Sequence, residues 1–179
     1  MPLLQDQIAV ITGASFGIGR TIAAGFAREG ARVVLLDING QEAAQAVQRI
    51  RDAGGEAESF ELDVTRREDC FRSAEQIAEQ IGTVSILVNN AAINRCNCFT
   101  SDPEVVAKDW QDIMAINLNG VFNVTQAFLP SLRASKGRII NIGSIQSLMH
   151  VRTPCSALPA RSLPSSARTA CASMQSAQG

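Results

Sequence analysis

Five short runs of apolar, often β-branched residues, separated by longer segments of helical periodicity, constrain what this chain can fold into more than any other feature. The runs are QIAVIT (7–12), ARVVLLD (31–37), AESFELD (57–63), VSILVNN (84–90) and GRIINIG (137–143), and each reads as a strand. The first, second, fourth and fifth are nearly apolar on both faces, as strands of a parallel sheet covered on both sides must be. The intervening periodicity predicts helices at 17–29, 41–53, 67–81 and 107–132. Each has an apolar stripe, and Gly30, Gly54 with Gly55, Gly82 and Pro130 serve as punctuation at several ends. Repeated β-α-β units with right-handed crossovers build an α/β fold, an open, doubly wound parallel sheet. Ligands on such a sheet bind at the carboxyl ends of the strands.

Length and charge narrow the function. At 179 residues the chain is the size of one domain, with room for a sizeable core. A net charge of −1, with 18% charged residues, supplies no field to gather nucleic acid or an anionic membrane, so the expected partner is a small molecule or another protein. The opening MPLLQDQIAVITG lacks a basic stretch followed by a sustained apolar run, and no segment reaches about 18 consecutive apolar residues, so a cytoplasmic protein is expected. Five cysteines, an odd number, argue for reduced thiols. Cys96 and Cys98 form a C-x-C pair with no second pair, and the single histidine, His150, lies far along the chain, so no metal site is expected.

The first strand runs into TGASFGIGR, which places glycines at 13, 17 and 19 ahead of a helix. A phosphate needs close backbone N–H donors and the positive end of a helix dipole, and glycine supplies the permissive dihedrals and the clearance. Glycines also simply make turns; the position between an apolar strand and an amphipathic helix is what turns this one toward a dinucleotide. Gly13, Ser15, Phe16, Gly17, Ile18 and Gly19 are the candidate cofactor contacts. Asp37 ends the second strand, where a carboxylate can accept hydrogen bonds from the adenosine ribose and repel a 2′-phosphate. Phe16 stands in the turn with no basic residue beside it to pair with that phosphate. These two features favour NAD over NADP, the alternative for Asp37 being an ordinary strand-end turn former.

TGASFGIG, LDV (62–64), LVNNAA (87–92), INLNG (116–120) and GRIINIGS (137–144) resemble, in order and register, the successive motifs of the short-chain dehydrogenases/reductases. The resemblance covers residues 7 to about 150. It implies a Rossmann-like sheet of about five strands in the order 3-2-1-4-5, with the family's last strands missing, and a nucleotide-binding domain over 1–150. It also implies that Asp63 and Val64 lie beside the adenine and that Asn90 and Ala91 line the adenosine half of the cofactor. Ala92 stands where the family usually has glycine. Asn117 would support the catalytic lysine through a water, and Ser144 would hydrogen-bond the substrate carbonyl. Without the family, Asn117 reads as a helix polar residue bonding its own backbone, and Ser144 as a turn or cap residue.

The family's chemistry is hydride transfer between nicotinamide and the carbon of a secondary alcohol or ketone, with a tyrosine phenol moving the proton and a lysine lowering its pKa. Counting on from Ser144 to the family's positions reaches Ala157 and Arg161, and the chain contains no tyrosine. Arginine's planar fork is not equivalent to the compact ammonium. The chain as written is therefore expected to be inactive.

Residues 151–179 offer no strand run and no sustained helical face, and are expected to be irregular or disordered. With synonymous codons chosen freely and the frame displaced by one base, Ala170 to Gly179 can encode MRVNAICPG, which resembles the family's sixth-strand motif. The same displacement from Leu158 can give TGSKFAVIGKNSM, which puts a lysine across the codons of Arg161 and Ser162. A frameshifted tail, from a sequencing error or a disabled gene, is one expectation; a divergent C-terminus is the other.

Two functions follow: an NAD-dependent oxidoreductase whose intact form acts on a small alcohol or ketone, and a non-catalytic NAD-binding or interaction protein. Tetramers are implied by the family through the helix carrying INLNGVFNVTQAFLP. Phe99 and Trp110 stand near the substrate loop, Trp110 being expected to pack beneath its helix.

Overall fold

A computed structural model describes residues 2–95 and 102–144. The chain divides into two compact units. The first comprises Met1–Arg95 and Lys108–Gly143, the second Cys96–Ala107 and Ser144–Gly179.

The first unit is built on a five-stranded, wholly parallel sheet in the order β3-β2-β1-β4-β5. Its strands are β1 (Ile8–Thr12), β2 (Arg32–Asp37), β3 (Glu56–Glu61), β4 (Ile86–Asn89) and β5 (Arg138–Asn141). The helices are α1 (Gly17–Arg28), α2 (Gly40–Asp52), α3 (Arg67–Gln80), α4 (Pro103–Met114) and α5 (Val121–Ser135). A π-helical stretch over Ala115–Gly120 joins α4 to α5.

Alternation along the strands explains why their runs are apolar throughout. Ala9 and Ile11 of β1, Val33 and Leu35 of β2, and Ile86 and Val88 of β4 pack with α1 and α2 on one face. Val10, Val34, Leu36 and Leu87 pack with α3 and α5 on the other, around the fully buried Phe128. Both faces of the three inner strands are therefore dry. β5 departs from the expectation of cover on both faces. All four of its residues are exposed, and among the described residues it pairs with β4 alone.

The segment expected as one helix over 107–132 is α4, the π-helical stretch and α5, and spans 103–135. Pro130 lies inside α5 instead of ending it. The stop comes at Lys136, in the left-handed region with φ 52°, where the Gly137 N–H reaches the Leu132 carbonyl at 2.7 Å. Trp110 does not pack beneath its helix; it is 64% exposed.

In the second unit, the described residues are 102–107 and Ser144. The Asp102 carboxylate accepts the Glu104 N–H at 2.9 Å, and Pro103 opens α4 at the position where a missing N–H costs nothing. Residues 145–179, with the expected frameshift, lie outside the described residues, as do Cys96, Cys98 and Phe99.

Candidate functional site

The carboxyl ends of β1, β2 and β4 meet around the glycine turn. Gly13 and Gly17 have φ of 61° and 56°, a region that L side chains rarely adopt. A Cβ on Gly13 would lie 2.8 Å from the Ala91 Cα, and one on Gly19 would collide with the Gly13 carbonyl oxygen and approach the Asn90 Nδ2 within 2.5 Å. A Cβ on Gly17 would meet nothing within 4 Å. Gly13 and Gly19 thus permit close packing of turn against sheet, whereas Gly17 leaves open space at the mouth of α1.

Among the described residues no side chain caps that mouth. Phe16 occupies the N-cap position in extended geometry without a side-chain hydrogen bond, and the first turn holds no acid. α2, by contrast, is capped conventionally by Asn39, which accepts the Glu42 N–H at 3.1 Å, and carries Glu42 in its first turn. The leading N–H groups and positive dipole end of α1 therefore remain available to an anion. Beside them the Ser15 hydroxyl oxygen is buried with no hydrogen-bond partner, an orphan of the kind that a ligand satisfies.

Asp37 fastens this turn to β2. Its Oδ2 accepts the Ser15 N–H at 3.0 Å and its Oδ1 accepts the Asn39 N–H at 3.0 Å. The carboxylate is 7% exposed and forms part of a cleft of about 210 Å³. Gly13, Phe16, Asp37, Asp63, Val64 and Ala91 line it among the sequence candidates, joined by Ile38, Leu62, Ala92 and Ile116. Asp63 holds its own loop, its Oδ1 accepting the Thr65 N–H at 2.9 Å and hydroxyl at 2.7 Å. Ser15, Gly17, Ile18, Gly19 and Asn90 do not line this cleft. Ile18 is 64% exposed on the first turn of α1.

Asn90 turns its amide inward. Nδ2 donates to the Thr12 carbonyl at 3.0 Å and the Gly13 carbonyl at 2.9 Å. Thr12, which sequence reasoning passed over, is the centre of this junction. Its Oγ1 accepts the N–H groups of Asn90 and Ala91, each at 3.0 Å, and donates to the Val88 carbonyl at 3.4 Å. One hydroxyl thereby uses its donor and both acceptor positions to tie β1 to the turn after β4. The only signal in the sequence is a polar residue ending an apolar strand just before a glycine.

Asn117 is exposed on the π-helical stretch and does not bond its own backbone. Oδ1 accepts the Ile93 N–H and Nδ2 donates to the Ile93 carbonyl, both at 2.9 Å, so the amide clips the segment after β4 to the helix. Such single-turn widenings accompany functional sites in many helices. Asn89, also missed, is buried. It donates to Thr125 Oγ1 at 3.1 Å and Asn141 Oδ1 at 2.8 Å, with its own Oδ1 unpartnered. Ser144 is exposed and belongs to the second unit.

Cys70, on α3, lies apart from the cleft. Burial, reinforced by the Asp69 and Asp63 carboxylates, pushes its thiol up to about 11. Its Sγ donates to the Val64 carbonyl at 3.6 Å. Among the described residues no group of three or more His, Cys, Asp or Glu could hold a metal ion, and no helix is long and apolar enough to cross a membrane.

Residues 7–156 match the family model described as short chain dehydrogenase. An uncharacterized oxidoreductase, YxbG, of Bacillus subtilis is 39% identical over 81% of this chain and 52% of its own length. A 5-keto-D-gluconate 5-reductase of Escherichia coli is 37% identical over 80% and 56%. Among solved structures, a gluconate 5-dehydrogenase from Burkholderia cenocepacia, in complex with NADP and tartrate, superposes with a TM-score of 0.74 at 38% identity, over 82% of this chain and 56% of that one. The chain spans about half the length of the curated relatives it matches.

Proposed function

The chain belongs to the short chain dehydrogenase family, and from that membership we propose that the cleft and glycine turn bind a nicotinamide dinucleotide, NAD in preference to NADP, for an oxidoreductase acting on a small secondary alcohol or ketone. The observation that carries this reading is the Ser15–Asp37 hydrogen bond, which joins the uncapped mouth of α1 to a carboxylate in the cleft wall. The residues present fit the group. The orphaned Ser15 hydroxyl and the space beside Gly17 suit a pyrophosphate, the free lone pairs of Asp37 suit ribose hydroxyls, and the slot between Leu62, Asp63 and Val64 suits an adenine. Ile18 and Gly19 carry the first turn of α1 whose N–H groups face the phosphates, while Asn90 and Ala91 fix the neighbouring wall. When bound, NAD accepts or delivers the hydride.

The NAD preference rests on charge. A 2′-phosphate placed at Asp37 would meet a buried carboxylate of the same sign. Titrating the protein with NADH and NADPH tests it. NADH is expected to bind at least about tenfold more tightly, and Asp37→Asn to bring the two affinities together. Equal affinities in the unaltered chain would refute the preference, and no binding of either would refute the site.

Turnover is a separate matter. Ser144 is assigned to hydrogen-bond the substrate oxygen and Asn117 to hold the segment at Ile93, but with no tyrosine in the chain no phenol moves the proton. Loss of that transfer alone costs about 10²- to 10⁴-fold. The expected behaviour is NADH binding without measurable conversion of any alcohol or ketone. That behaviour also describes a non-catalytic NAD-binding protein, the reading favoured by the missing tyrosine. Sequencing the DNA across codons 150 to 179 separates the two. A corrected frame with Tyr-x-x-x-Lys assigns the intact gene to catalysis, and its absence in every frame assigns it to binding. A cytoplasmic setting and a homotetramer through the helix at 116–130 complete the proposal, the latter supported by Leu118 and Phe122, one turn apart and each more than half exposed.

A further inference from the structure

A second hollow of about 560 Å³ lies between α1 and α2 and shares no residue with the nucleotide cleft. Both helices follow parallel strands and cover the same face of the sheet, so they run side by side in the same direction. Their facing rows are short: Ala24 and Ala27 on α1 and Ala46 on α2, continued by Ala53 at the end of α2 and by Gly54 and Gly55. Small residues give neighbouring helices no ridges to interdigitate, and a trench remains where larger side chains would close it. Its floor is apolar, with Ile50, Ala46 and Ala27 buried beneath it.

The rim is cationic. Arg20, Arg28 and Arg49 line the trench and, among the described residues, no acidic one does, in a chain whose acids and bases nearly balance at 17 and 16. Arg32, Arg66, Arg72 and Arg95 each pair with a carboxylate, whereas these three guanidinium groups have no ion-pair or side-chain hydrogen-bond partner among the described residues. Arg28 and Arg49 stand in the last turns of α1 and α2, at the same end of the trench. Arg20 lies eight residues back along α1, about 12 Å up the axis at 1.5 Å per residue.

We propose that this trench binds a free, single-chain anionic amphiphile, its carboxylate or phosphate head gripped by Arg28 and Arg49 and its apolar chain laid along the alanine floor toward Arg20. Guanidinium forks match either head bidentately. The volume falls within the roughly 300–1,000 Å³ of small-molecule sites, and an apolar trough with few polar groups is their usual composition. Arg20 bounds the far end, where its methylene stem can cover the chain.

Calorimetric titration of the full chain tests the assignment, using decanoate and decyl phosphate below micelle-forming concentrations, decanol as the neutral analogue and acetate as the head alone. Decanoate or decyl phosphate should saturate one site, with decanol and acetate at least about tenfold weaker. Arg28→Ala with Arg49→Ala should weaken binding at least about tenfold, Arg20→Ala by less than about threefold, and Ala24→Leu, which fills the trough, should weaken it while leaving NADH binding unchanged. Decanol binding as tightly as decanoate, unchanged affinity in the double variant, binding only to anionic phospholipid vesicles, or no binding of either anion would each overturn the proposal.

Discussion

Thr12 shows how much can rest on one buried hydroxyl. Replacing it with valine keeps the volume and strands the N–H groups of Asn90 and Ala91. Thr12→Val should cost about 1–3 kcal/mol in urea denaturation, with nucleotide affinity falling as the turn loosens. The glycines divide differently. Gly19→Ala drives a methyl into the Gly13 carbonyl and should destabilise the fold by about 1–3 kcal/mol. Gly17→Ala meets open space, so its folding cost is the backbone strain of about 1–2 kcal/mol, but the methyl stands before α1 and should reduce NADH affinity at least about tenfold. Thermal melts alongside NADH titrations separate the two effects. Cys70 gives a pH prediction. Burial holds its folded-state pKa at about 11, above the 9.0 of a free thiol, so the unfolded chain loses the proton first and stability falls as pH rises from 9 toward 11. The loss, on the order of 2–3 kcal/mol, should vanish in Cys70→Ala when the two melting curves are compared across that range. The glycine turn and Asp37 were legible because their chemistry is local. The inward amide of Asn90 was not, since its acceptors, at the end of β1 and on the glycine after it, are distant in sequence.

At the scale of elements, periodicity located the five strands and the helical segments of the described residues, but neither the junction of α4 with α5 nor the company the strands keep. A run of isoleucines records the ease of making a strand, and says nothing of how many neighbours it acquires; among the described residues β5 has one paired edge, and its four residues are exposed. The segment 107–132 reads as one helix because the π-helical stretch at Ala115–Gly120 adds no polar break, only a local widening that letters do not carry. Trp110 misled through size, since α4 buries none of its residues fully. The exposed pair Leu118 and Phe122 supports a prediction here: Phe122→Glu should lower the assembly state in light scattering while leaving NADH affinity within about twofold, since Phe122 does not line the cleft.

For the molecule as a whole, the sheet order was readable from the alternation of elements together with the motif series, because crossover handedness leaves few alternatives. What the sequence could not supply was the division of the chain into two compact units, with Ser144 in one and the glycine turn in the other. The sheet order also sets a sequence of assembly. β1, synthesised before the other four strands, becomes the middle of the sheet, with β2 and β3 laid down on one side before β4 and β5 join the other. Val10 meets Val34 across one crossover, whereas Leu87 reaches it only after three strands and three helices have emerged. The longer closure adds roughly 1 kcal/mol of chain entropy. During synthesis, then, the half of the sheet bearing the glycine turn and Asp37 can pair off first, leaving one flank of β1 open until β4 arrives to close it with Thr12 as the latch.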